Sequence, residues 1–118
     1  HYPSVQGIYL FGSQADGTDR PGSDADIAVL LPHAEAKAAG SLAMSACRVA
    51  LEDRLRKPVD LVNLRQVSTV FQMQIIYGDR ILCADAYAMD EFEMLTMSFY
   101  QKLNEERAEI LSAFERTD

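Results

Sequence analysis

The stretch FGSQADGTDRPGSDADIAVL, residues 11–30, decides the fold. It sets Gly12 and Ser13 at the close of one apolar run and Asp24 and Asp26 at the opening of another, with a Gly/Pro/Asp-rich bend between them. Residues at alternate positions of a strand point to the same side, so Asp24 and Asp26 are expected to project together, about 6–7 Å apart, with Ala25 and Ile27 facing the other way. Carboxylates so placed converge on a hard divalent cation, and two such ions roughly 4 Å apart clamp the attacking and leaving oxygens of a phosphoryl or nucleotidyl transfer. Like charges held close make an empty site costly, and a cation relieves that repulsion. Gly12 allows a ligand close to the backbone, and Ser13 adds a hydroxyl and an N–H. A helical turn over 14–17 would aim further N–H groups at phosphate. No Gly-Lys-Ser/Thr follows, so this is not a P-loop, and the three-glycine dinucleotide fingerprint is missing as well.

Outward from this stretch, strands are expected at Val5 to Phe11 and Ala25 to Leu31, from their β-branched and aromatic content. One helix is expected from Ala34 to Leu55, weakened at Gly40 and stopped by Pro58. Val59 to Leu64 reads as a third strand, with Asp60 at its head, from where a third carboxylate would reach the same pocket if the strand neighbours the second. Ser68 is a candidate cap for a helix carrying Val70, Phe71, Ile75 and Ile76 and ending before Gly78. Arg80 to Cys83 is a small extra strand. A last helix spans Asp90 to Phe114, with Phe92, Leu95, Phe99, Leu103, Ile110 and Phe114 at helical spacing and Asp90 and Glu91 favouring its start. This order predicts an α/β (α+β) fold, a small mixed β-sheet packed with helices, in one domain over residues 1–118.

Composition narrows the function classes. The chain has 118 residues, 48% of them apolar, enough for one core and too interrupted to span a membrane. The start, HYPSVQGIYLF, lacks a basic region followed by a long apolar one, so no leader is expected there. A formal net charge of −7 argues against gripping long nucleic acid by its backbone, so metal is expected to supply the cation beside any phosphate. Cys47 and Cys83 match no ligand or redox spacing and read as core thiols, which favours a cytoplasmic setting. His33 follows Pro32 at the far end of the second strand and reads as peripheral.

Gly12-Ser13, ten residues, then Asp24-Ala25-Asp26 resembles the DNA polymerase β-type nucleotidyltransferase superfamily, and within it the minimal nucleotidyltransferases. Phe11, Gly17 and Ser23 fit that group, and Asp60 in KPVDLVNL resembles its third carboxylate. The resemblance is strong over residues 5–64, and YGDRILCAD at 77–85 with the last helix looks like the usual continuation. It implies a polymerase β-like fold in which Gly12 and Ser13 hold the triphosphate of ATP, and Asp24, Asp26 and Asp60 bind Mg²⁺. Asp60 would also position or deprotonate the incoming hydroxyl. A nucleophile attacks the α-phosphorus, and pyrophosphate leaves.

Many short members resemble antitoxins encoded beside a helical HEPN ribonuclease toxin, which they silence by transferring AMP onto a tyrosine near its active site. The resemblance therefore implies a Mg²⁺-dependent protein adenylyltransferase whose partner is a HEPN-family toxin in a hetero-oligomer. One departure is Gln14, where many relatives carry Arg or Lys; Arg20 is a candidate replacement. Met94, Met97 and Tyr100, beside the main stripe of the last helix, are either a partner surface or a second packed face. Two other functions stay open: transfer to a small molecule such as an aminoglycoside, and an antitoxin acting by binding alone.

Overall fold

A computed structural model describes residues 2–12, 25–42 and 45–115. The elements in chain order are β1 (Gly7–Phe11), β2 (Ala25–Leu30), α1 (His33–Ala39), α2 (Ala46–Leu55), β3 (Val59–Asn63), a 3₁₀ turn at Leu64–Gln66, α3 (Thr69–Ile76), β4 (Asp79–Cys83) and α4 (Ala86–Glu115). The strands form one mixed sheet in the order β3-β2-β1-β4. β1 runs antiparallel to both β2 and β4, while β2 and β3 are parallel. A parallel neighbour demands a crossover, and α1 and α2 supply it.

Period-two alternation sorts the side chains onto two faces. Tyr9, Ala28 and Leu30 pack with Met73, Ile75, Met89 and Phe92 beneath α3 and α4. Ile27, Val29, Val59 and Leu61 pack on the other face with Ala36 and Leu42, beside α1 and α2. Gly7, a weak point by strand propensity, leaves room for the Met89 side chain, which a Cβ there would strike. Tyr9 is fully buried, and its hydroxyl donates to Glu93 Oε2 at 2.7 Å. Arg80 of β4 donates to the same Glu93 oxygen and to Asp90 Oδ1 at 2.8 Å, so β1, β4 and α4 meet at one polar joint.

The helix expected from Ala34 to Leu55 is two helices. α1 ends at Gly40, whose φ of 61° and ψ of −143° lie where side-chain-bearing residues rarely go. Its end is fixed from outside: the buried Asn63 amide donates to the carbonyls of Ala36 and Gly40 at 2.9 and 2.8 Å. Ser45 then caps α2 by accepting from Arg48 N–H. Ser68 caps α3 through Phe71 N–H, as expected. α4 starts a turn earlier than Asp90, where Asp85 Oδ1 accepts from Ala88 N–H at 3.0 Å.

The stripe of α4 is core only in part. Phe92 is buried, whereas Leu95, Phe99, Leu103 and Ile110 are exposed, and the side chain of Phe114 lies outside the described residues. Met94 and Met97 are exposed, but Tyr100 packs against the α3–α4 core and belongs to a different side of the helix. No helix among the described residues is long and apolar enough to cross a membrane.

Candidate functional site

The site is set by strand register. Asp26 of β2 stands opposite Asp60 of β3 in the parallel ladder, and Phe11 of β1 stands opposite Asp26 on the other side. Neighbouring strands lie about 4.8 Å apart, so Asp26 and Asp60 share a face at adjacent positions near the N-terminal ends of their strands. Alternation puts them on the face of Ala28 and Val62, which α3 and α4 cover further along. At this end the cover thins: Asp26 is half-buried and Asp60 is exposed.

Two bonds pin that register. Ala25 N–H donates to Pro58 O at 2.9 Å, extending the ladder one residue upstream of β3. Val59 N–H donates to Glu52 Oε2 at 3.0 Å, so a helix side chain holds the strand head beside Asp60. Arg48 holds Glu52 in turn at 2.7 Å. Sequence reading missed Glu52, because a side chain meeting a backbone N–H seven residues on has no pattern of its own.

Gly12 completes the corner. It follows Phe11 with φ of 71°, and a Cβ on it would overlap Asp26 Oδ2. The backbone at 12 is therefore in contact with the carboxylate, and only a residue without a side chain leaves Asp26 in place. Phe11 is fixed from behind by the Phe71 ring, edge-on with centroids 5.7 Å apart.

The structure thus brings together Gly12, Asp26 and Asp60. Ser13 and Asp24 lie outside the described residues, as do Gln14, Arg20 and the bend around them. Among the described residues no group of three or more His, Cys, Asp or Glu is placed to hold a metal ion. Asp26 and Asp60 are a pair of hard oxygen donors at adjacent register positions, with Gly12 packed against the first. This donor chemistry would fit a hard divalent cation such as Mg²⁺. His33 stands apart at the start of α1, with Nε2 3.2 Å from Arg65 Nη1.

Comparison with known proteins adds independent findings. The family model described as polymerase beta, nucleotidyltransferase matches residues 1–87. The protein adenylyltransferase MntA of Shewanella oneidensis is 38% identical over 109 residues, which are 92% of this chain and 76% of that protein. A crystal structure of a toxin–antitoxin with AMP-PNP superposes with a TM-score of 0.74 at 35% identity, covering 96% of this chain and 88% of the other. A tri-AMPylated Shewanella oneidensis HEPN toxin in complex with its MNT antitoxin gives 0.64 at 30% identity, covering 96% and 85%.

Proposed function

The chain belongs to the polymerase β nucleotidyltransferase family, and from that premise we propose that it is an antitoxin that transfers AMP from ATP to a tyrosine hydroxyl of a partner HEPN toxin, releasing pyrophosphate. Residues 1–118 form one minimal nucleotidyltransferase domain in this reading. The observation that carries the chemistry is the register of Asp26 against Asp60 with Gly12 packed on the first carboxylate. Support for the acceptor comes from the 38% identity to a protein adenylyltransferase and the likeness to antitoxins solved with their toxins. The two cysteines are free, though Cys83 is exposed and Cys47 half-buried rather than core as expected, and unpaired thiols support a cytoplasmic setting.

In this proposal Gly12 and Ser13 receive the triphosphate, the absent side chain at 12 letting phosphate approach the backbone. Asp24, Asp26 and Asp60 hold Mg²⁺, which when bound neutralises the negative charge of the triphosphate. The tyrosine oxygen forms a new bond to the α-phosphorus while the bond from that phosphorus to the bridging oxygen breaks. Pyrophosphate leaves with the electron pair, and the hydroxyl proton passes to the Asp60 carboxylate. Asp60 suits that role because it is the exposed member of the pair. Fixing both reactants on rigid strand ends supplies the positioning such a reaction depends on.

The test is incubation of the chain with its partner toxin, Mg²⁺ and ATP labelled at the α-phosphate. Label on the toxin, absent with Asp26→Asn, is expected. A toxin that is inhibited but unlabelled replaces this reading with neutralisation by binding alone.

A further inference from the structure

Helix α4 is far longer than the body it packs on. Its 30 residues extend about 45 Å at 1.5 Å per residue, and the described molecule measures 59 × 34 × 24 Å. Every residue from 101 to 113 is exposed. A free helical arm of that length is marginal in water on its own. Phe99, Leu103 and Ile110, at spacings of four and seven, nevertheless line one face of it, 58%, 39% and 63% exposed. Two cavities lie in series along this face and share Phe99. One, of about 160 Å³, includes Arg65, Phe92 and Thr96; the next, of about 250 Å³, includes Thr69 and Leu103.

Arg65 gives the groove a sign. Its guanidinium donates to Leu31 O, meets His33 and Gln6 side chains, and lies 5.5 Å from the Phe92 ring centroid. Among the described residues none of these partners is a carboxylate. Burial pulls its pKa down, and Glu91 opposes this only through space. A cation withdrawn from water with no carboxylate bonded to it is costly until an anion reaches it. Arg65 follows the C-terminal end of β3, whereas Asp60 is near the N-terminal end, so a segment seated at Arg65 leaves the carboxylate pair accessible.

We propose that the groove along α4, from Arg65 to Leu103, seats an amphipathic helix of the partner toxin, its apolar face on Phe99 and Leu103 and a carboxylate on Arg65. This rests on the toxin partnership proposed above. A groove flanked by helices and lined at helical spacing favours a helix over an extended strand. Its first cavity carries Arg65 and its second Lys102 with Glu106, so cations outnumber carboxylates in the lining and favour an acidic partner face at Arg65.

Binding of the toxin to the intact chain is measured by calorimetry, alongside sedimentation of the chain alone. The double variant Phe99→Asp/Leu103→Asp changes exposed residues, so its melting curve stays that of the parent. Its toxin affinity falls by about a hundredfold, as for truncated interface hot spots. Arg65→Gln weakens binding about tenfold and reduces its salt dependence. Asp26→Asn, by contrast, loses transfer and keeps binding, which separates this surface from the reaction. Parental toxin affinity in the double variant overturns the proposal. So does a dimer of the chain alone that the double variant dissolves while toxin affinity holds, which makes a second copy the occupant. A parent chain that binds no toxin removes the underlying reading and this one with it.

Discussion

Gly12 and Asp26 are complementary in shape: a Cβ at 12 would overlap Asp26 Oδ2. Because the colliding atom ends a movable side chain, Gly12→Ala should leave the sheet standing and turn the carboxylate away. The backbone at φ 71° adds a cost of about 1 kcal/mol for a residue with a side chain. The expected outcome is a folded protein, a few degrees less stable by thermal melt, whose transfer activity is largely lost. Full activity in that variant would show that Asp26 has room to spare.

Asp60 is exposed and stands beside Asp26 in the ladder, where two like charges at adjacent register positions repel. Asp60→Asn should therefore melt at or above the parent temperature while losing transfer, and Asp26→Asn should lose transfer as well. Mg²⁺ should raise the melting point of the parent and not of either variant, because only a site that binds in the folded state stabilises it. An Asp60→Asn protein that unfolds would make Asp60 structural.

The candidate corner was legible because strand alternation and register translate directly into sequence spacing. Gly12, Asp26 and Asp60 each sit at the end of an apolar run, and neighbouring strands bring those ends together. The break between α1 and α2 was not legible. Both halves keep a helical pattern, and what separates them is Gly40 together with the distant Asn63 amide. The stripe of α4 told less: helical periodicity reports an amphipathic face but not what covers it. Phe92 meets the sheet layer, while Phe99 and Ile110 face outward. Glu52 was invisible for a similar reason, as its duty is to one backbone N–H on another element.

Glu52 is a positioning residue for the strand that carries Asp60. Glu52→Ala leaves Val59 N–H without its acceptor and should cost about 1–2 kcal/mol, with transfer reduced through a looser Asp60. Glu52→Gln retains an accepting oxygen and should restore most of the activity, although the ion pair with Arg48 is lost. Equal losses in the two variants would assign the effect to Arg48 instead.

Tyr9 supplies a pH signature. Burial first, and then the hydrogen bond to the Glu93 carboxylate, hold its phenol above the ordinary value. The neutral form is the one favoured in the folded state. Its contribution is therefore complete below the unfolded tyrosine value of about 10 and is lost as pH rises toward the higher folded value. Denaturation curves between neutral and strongly alkaline pH should show the parent losing more stability than Tyr9→Phe. At neutral pH Tyr9→Phe should cost about 1 kcal/mol, Arg80 still partnering Glu93.

The central claim, that the pair Asp26–Asp60 drives nucleotidyl transfer to another protein, is tested most directly by the intact mass of the partner toxin after incubation with the chain, ATP and Mg²⁺. The toxin should gain whole AMP units with the parent chain and none with Asp26→Asn or Asp60→Asn. A toxin of unchanged mass with the parent chain, or AMP units added equally by the Asn variants, would contradict it.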